Sequence, residues 1–219
     1  MKVEAVLFDL DGTLVDSAPD LAGTANDMRA ERGLPPLPLA TLRPHCGSGA
    51  RGMLGAGLGV RPGDADYTRL RDAFLDRYEA RMLQSTQPFD AALRLLHALD
   101  AQGLPWGIVT NKALRFAEPL CRELGLLDRA AVLVGGDSTP HTKPHPAPLL
   151  EAARRLNQAP AGCIYVGDDA RDMHAGRAAG MRVLAAGWGY LGEPADPALW
   201  QADALLAEPL ALLKWLDLA

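Results

Sequence analysis

Five short apolar runs punctuate the chain: Val3–Phe8, Trp106–Thr110, Val132–Gly135, Cys163–Val166 and Arg182–Ala186. Each is too short for a helix and too continuously apolar to keep a wet face. That is the pattern of strands buried on both sides. Between the later runs the period changes to that of amphipathic helices. Ala91–Gln102 carries Leu93, Leu96 and Leu99, and Pro146–Leu156 carries Leu149, Leu150 and Leu156. Arg171–Ala179 is rich in Ala and stops at Gly180, a residue suited to ending a helix. Strand and helix in alternation predict an α/β fold, a Rossmann-like parallel sheet with helices on both faces. Pro119 lies inside the helical pattern Leu114–Leu124 and predicts a kink or a late helix start.

Between about Val15 and Thr86 the alternation breaks. No convincing strand occurs there. Instead Pro19–Arg32, Ala50–Leu58 and Asp66–Leu83 read as helices, the last with Leu70, Phe74, Leu75, Tyr78 and Met82 as its apolar positions. The Pro-rich Leu34–Pro38 marks a turn among them. This predicts an all-helical cap, residues 16–86, inserted after the first strand of a core built from residues 1–15 and 87–219. Hinges are expected near Val15–Ser17 and Gln87–Pro88.

Composition narrows the class. The 219 residues suffice for one domain with a smaller insert, and 48% hydrophobic with 22% charged residues is a globular balance. A net charge of −5 argues against bulk attraction to nucleic acid or to anionic membranes. Cys46, Cys121 and Cys163 are odd in number and contain no C-x-x-C pair, so reduced thiols are expected rather than a disulfide framework or a zinc site. Glu4 and Asp9 interrupt the first apolar segment, which is unlike a signal peptide, and no run has the length of a membrane span. The expectation is a cytoplasmic protein whose partner is a small molecule. Monomer and homodimer are equally open.

The chemistry concentrates in Asp9-Leu10-Asp11-Gly12-Thr13, directly after the first strand. Two carboxylates two residues apart point the same way while a strand lasts. Their placement at the mouth of a buried sheet is costly without a compensating partner, and predicts a metal, a nucleophile, or both. Taken alone, an Asp-Gly pair is also an ordinary turn. Thr110-Asn111-Lys112, Lys143 and Gly167-Asp168-Asp169-Ala170-Arg171-Asp172 fall at the carboxyl ends of other inferred strands, where open α/β sheets bind ligands. Thr110-Asn111 also suits a helix cap, and an acid in the last cluster suits a helix N-terminus.

D-x-D-G-T followed by Thr110, Lys143 and Gly167-Asp168 with Asp172 resembles the haloacid dehalogenase superfamily of phosphatases, over nearly the whole chain. The helical insert resembles the cap of its phosphoglycolate-phosphatase-like branch. Trp106–Lys112, Arg115–Pro119, Val166–Asp169 and Gly189-Tyr190 are similar to the N-acetylmuramic acid 6-phosphate phosphatases. The resemblance implies a Mg²⁺-dependent phosphomonoester hydrolase acting through an aspartyl-phosphate on a small carboxylated phosphate ester. A sugar-phosphate mutase, which uses the same two acids, is the alternative. Asp9 is then nucleophile and metal ligand. Asp11 is the proton shuttle and lends the metal its backbone carbonyl. Asp168 completes the metal set, and Thr110 and Lys143 stabilise the phosphoryl group. Asp172 is expected to orient other groups, and Asp169 either touches the metal or does not. Candidate substrate contacts are Asn111 and, in the cap sequence Cys46–Arg51, Ser48 and Arg51, the latter as a carboxylate reader. His145 stands where the family commonly has Asp after Lys-Pro.

Overall fold

The computed structural model describes residues 3–192 and 196–218. The outermost residues of the expected core, 1, 2 and 219, and residues 193–195 lie outside the described residues. In chain order the strands are β1 (Ala5–Phe8), β2 (Val15–Asp16), β3 (Gln87–Pro88), β4 (Trp106–Val109), β5 (Val132–Val134), β6 (Cys163–Gly167), β7 (Arg182–Ala186) and β8 (Ala204–Leu206). Six of them form one sheet in the order β5-β4-β1-β6-β7-β8, with every pairing parallel. The helices are α1 (Ala18–Ala30), α2 (Leu39–Leu42), α3 (Gly49–Leu58), α4 (Tyr67–Arg81), α5 (Asp90–Ala101), α6 (Leu114–Glu123), α7 (Ala147–Arg155), α8 (Ala170–Ala178) and α9 (Ala211–Trp215).

Side-chain alternation sorts the strand residues between two layers. Val6 and Phe8 of β1 pack with Ile108, Ile164 and Leu184 against Leu95 and Leu99 of α5, Leu120 of α6 and Leu212 of α9. Ala5 and Leu7 pack on the opposite face with Val109, Tyr165 and Val183 against Leu149 of α7 and Met173 of α8. Burial on both faces is why β1 reads as one continuous apolar run.

Residues 18–81 fold as α1–α4 around an apolar cluster of their own, including Leu21, Met28, Met53, Leu70, Phe74 and Tyr78. Two side chains from outside this helical insert, Phe116 of α6 and Tyr190, are buried in the same cluster. Phe116 meets Tyr78 edge to face at 5.8 Å. The connections into and out of the insert lie side by side. β2 pairs antiparallel with β3, Val15 opposite Pro88. The buried Asp20 carboxylate accepts from the backbone N–H groups of Ser85 and Thr86 and from the Thr86 hydroxyl, at 2.8–2.9 Å.

Three features differ from the sequence reading. The β2–β3 ribbon occupies the junctions where no strand was expected, because a two-residue pairing carries no readable alternation. β8 extends the sheet by three residues at its edge, where Leu205 is exposed; the short apolar run Ala204–Ala207 is not among the strands expected from sequence. Helix α6 starts at Leu114 and continues through Pro119, without the late start. Proline forfeits one bond, to the carbonyl four residues back, while Phe116, Ala117, Leu120 and Cys121 bury the helix's apolar face.

Candidate active site

The chain leaves β1 to build β4 and β5 on one side, then returns to build β6, β7 and β8 on the other. The carboxyl end of β1 is therefore a topological switch point, where such sheets open a crevice. Asp9 follows β1, Thr110 follows β4 and Asp168 follows β6. Ladder-type bonds continue past the strands: the Asp9 N–H donates to Val166 O at 2.9 Å, and the Thr110 N–H to Val134 O at 2.9 Å. A turn closes immediately after Asp11. The N–H groups of Leu14 and Val15 both donate to Leu10 O, and Gly12 sits at φ +84°. A Cβ on Gly12 would lie 2.3 Å from Asp168 Oδ2, so the motif glycine lets the first loop press against the acid from β6.

Lys143 is the buried cation of the site, 3% exposed. Its Nζ lies 2.8 Å from Asp9 Oδ1 and 2.8 Å from Asp172 Oδ1, and donates to Val109 O and to the Tyr165 hydroxyl. Burial disfavours the ammonium, but Asp172 and Asp9 outweigh it and hold Lys143 above its ordinary range. Asp9 Oδ1 is buried and touches that ammonium without the alignment of a hydrogen bond. Asp168 accepts from the Thr13 hydroxyl at 3.0 Å and the Tyr190 N–H at 2.7 Å.

One oxygen from each of Asp9, Asp168 and Asp172 lies within 4.8 Å of the others. Burial, then repulsion from Asp9 and Asp172, pushes Asp168 well above the usual carboxylate range. Burial pushes Asp172 up to about 6, against the opposing pull of Lys143. Three acids crowded in a dry space with one lysine are short of positive charge. Hard oxygen donors in that state fit a divalent cation. The cluster holds Asp172, expected only to orient other groups, alongside Asp9 and Asp168.

The Asp11 side chain faces elsewhere. Its carboxylate accepts from Lys112 Nζ at 2.9 and 3.0 Å and from the Ser17 hydroxyl, and Lys112 also donates to the Tyr78 hydroxyl at 3.0 Å. Any contribution of Asp11 to a cation therefore falls to its backbone carbonyl. Burial opposes the Lys112 charge, yet Asp11 and Tyr78 hold its pKa above normal.

These residues line a cavity of 350 Å³ between the sheet and the helical insert, with Asp9, Asp11, Thr110, Asn111, Lys143 and Asp168 all on its wall. Asn111 lines it but has both amide atoms occupied. Its Nδ2 donates to Lys143 O and its Oδ1 accepts from Lys143 N–H, both at 2.9 Å, which clamps the loop carrying Lys143. Ser48 lines the cavity with Gly49 and Ala50. Arg51 does not: it lines a neighbouring cavity with Pro44, Leu191 and Trp200. Successive helix residues turn by about 100°, so the start of α3 faces the site and Arg51 is carried past it. Asp169 is an N-cap, accepting from the Arg171 N–H in a capping box with Asp172. It also pairs with the Arg171 guanidinium at 2.7 Å. Burial alone would raise Asp169; the Arg171 hydrogen bonds overcome it and hold the acid below its ordinary range. Arg171 in turn donates to Gly47 O at 2.6 Å, a direct tie between α8 and the insert.

Several supporting residues escape sequence reasoning. Tyr190 accepts from the N–H groups of Ser17 and Ala18 and donates its own N–H to Asp168, joining the insert to the acid cluster. Trp188 Nε1 donates to Thr13 O at 3.0 Å. The Tyr165 hydroxyl reaches Val109 O and Asp172 from a strand position that reads as plain core. Lys112, next to the expected Thr110-Asn111, had the only local signal, a cation beside candidate phosphate contacts.

The family profile of the haloacid dehalogenase-like hydrolases matches residues 6–186, and the chain belongs to that family. It is 49% identical over 205 residues to a phosphoglycolate phosphatase of Xanthomonas campestris, covering 94% of this chain and 92% of the relative. It is 42% identical over 219 residues to an N-acetylmuramic acid 6-phosphate phosphatase of Pseudomonas aeruginosa, covering 100% and 97%. The crystal structure of a predicted phosphoglycolate phosphatase from Haemophilus somnus matches with a TM-score of 0.86 at 26% identity, over 98% of each chain. The protein is thus an enzyme, a phosphatase of the haloacid dehalogenase type. Such phosphatases generally use a metal ion, for which the acid cluster is suited. Among the described residues, no helix is long and apolar enough to cross a membrane.

Proposed function

We propose that the enzyme hydrolyses a carboxylated phosphate monoester by transferring the phosphoryl group to Asp9. The observation that carries this reading is the arrangement around Asp9: an acid on the cavity wall, one oxygen against a buried lysine, with the Asp11 carboxylate beside the same cavity. A carboxylate so placed forms a bond to phosphorus while the bond to the leaving oxygen breaks. Asp11 gives that oxygen a proton, then takes one from the water that hydrolyses the aspartyl-phosphate. Lys143 offsets charge on the phosphoryl oxygens, and the Thr110 hydroxyl donates to one of them. Asn111 acts through Lys143, whose backbone it clamps. Mg²⁺ is the proposed metal, held by Asp9, Asp168 and the Asp11 carbonyl, with Asp172 beside them; it would supply the charge that lets an anionic ester approach an acidic pocket.

Residues 16–86 act as a cap in this reading, closing over the ester and excluding water. The two relatives' names point to substrates that join a phosphate to a carboxylate. Asp9→Asn is expected to abolish turnover of an aryl phosphate while leaving the circular dichroism spectrum unchanged; substantial residual turnover would remove Asp9 from the nucleophile role. Return of the phosphoryl group to substrate without release of phosphate would mark a mutase instead.

A further inference from the structure

Four cationic side chains line the main cavity: Lys112, Arg115, Lys143 and Arg171. Three of them have carboxylate partners within the protein. Lys112 pairs with Asp11 at 2.9 Å, Lys143 with Asp9 and Asp172 at 2.8 Å, and Arg171 with Asp169 at 2.7 Å. Arg115 has no carboxylate partner among the described residues. Its guanidinium rests over the Phe116 ring, 4.3 Å from the centroid. Both residues lie in the first turn of α6, which follows directly on Thr110-Asn111-Lys112. Phe116 is thereby buried in the apolar cluster of the insert, and Arg115 stays on the cavity wall.

We propose that Arg115 receives a substrate carboxylate remote from the phosphoryl group, while the body of the leaving group lies against Phe74, Leu75 and Phe116. This rests on the phosphatase reading above and names the substrate class more narrowly. A guanidinium resting over an aromatic ring gains attraction without a carboxylate partner, so its N–H fork remains available to match a carboxylate. The other three cations already face acids, so Arg115 is the lining cation with a charge to offer a second anion. The wall it shares is apolar. The 350 Å³ cavity is also of the size that accepts drug-sized ligands, well beyond a two-carbon acid. The carboxylate role expected for Arg51 passes to Arg115, because Arg51 opens onto the other cavity.

The test compares N-acetylmuramate 6-phosphate with its derivative carrying a primary amide in place of the lactyl carboxylate, in the presence of Mg²⁺. Wild type, Arg115→Ala, Arg115→Lys and Arg51→Ala are measured, with melting temperatures to confirm folding. Wild type is expected to favour the acid over the amide in kcat/KM. Arg115→Ala is expected to shrink that preference by about 10- to 100-fold, the worth of a charge-assisted hydrogen-bonded pair, with the loss in KM rather than kcat. Arg115→Lys restores part of it, keeping the charge without the fork. An unchanged acid-to-amide ratio in Arg115→Ala, or its collapse in Arg51→Ala instead, overturns the assignment to Arg115. p-Nitrophenyl phosphate separates the two levels. If wild type does not hydrolyse it either, the phosphatase reading itself has failed.

Discussion

Replacing Lys143 by Met tests whether this lysine holds the acid cluster together. The substitution keeps an unbranched chain of similar reach and removes the charge. In the native fold Nζ sits 2.8 Å from both Asp9 and Asp172, and it donates to Val109 O at 3.0 Å and to Tyr165 at 2.7 Å. Without it, three acids share a dry space with no cation among them. Removing one partner of a buried pair costs about 3–5 kcal/mol, which for a chain of this size lowers Tm by about 6–20 °C.

The pH dependence carries the sharper signature. Asp172 is already pushed up to about 6 with Lys143 present. Losing Lys143 pushes it higher. An acid whose folded pKa exceeds its unfolded value binds more protons when folded, so stability rises as pH falls through the interval between the two. The deficit of Lys143→Met is therefore expected to be large at pH 7.5 and clearly smaller at pH 5.5. Urea unfolding of the metal-free protein, followed by circular dichroism at both pH values, measures it. A variant within about 1 kcal/mol of wild type at pH 7.5, or an equal deficit at both pH values, refutes the reasoning; the lower threshold is the size of an exposed ion pair.

Mg²⁺ is expected to raise the melting temperature of the metal-free enzyme, and to do so more at pH 7.5 than at pH 5.0, because protons compete for carboxylates whose pKa values are raised. Scanning fluorimetry checks this, with Asp168→Asn as the variant that loses the response; equal shifts at both pH values would disconnect the metal from the cluster. A comparison of kcat/KM across N-acetylmuramate 6-phosphate, phosphoglycolate and hexose phosphates is expected to place the carboxylated esters first. Hexose phosphates ahead of both would contradict the substrate class.

The candidate site was legible in sequence as a cluster because its elements are local. A buried strand announces itself by a continuous apolar run, and whatever follows it emerges at the sheet's carboxyl edge. Asp9, Thr110 and Asp168 each sit one residue past a strand, β1, β4 and β6 in turn. The helical insert was legible for the same reason, through the period of Leu70, Phe74 and Tyr78. What escaped depends on direction rather than position. Arg51 and Arg115 are both arginines near helix starts, and only the folded chain shows that α3 carries one past the site while α6 leaves the other on its wall. Lys112 pairs with Asp11 and Lys143 with Asp9, a division made by loops that meet only in space. Tyr165 lies within an apolar strand run that marks it only as core, and the Tyr190 hydroxyl meets Ser17 across 173 residues of chain, so neither hydroxyl's role shows in the local pattern.

The central claim is that Asp9 takes the phosphoryl group, and acid quenching during turnover tests it most directly. Enzyme loaded with Mg²⁺ and saturated with p-nitrophenyl phosphate is quenched in acid, digested and analysed by mass spectrometry. The peptide containing Asp9 is predicted to carry the mass of one phosphoryl group, removable by hydroxylamine and absent from Asp9→Asn. Steady release of p-nitrophenol with that peptide unmodified, or with the phosphoryl group on another residue, would contradict it.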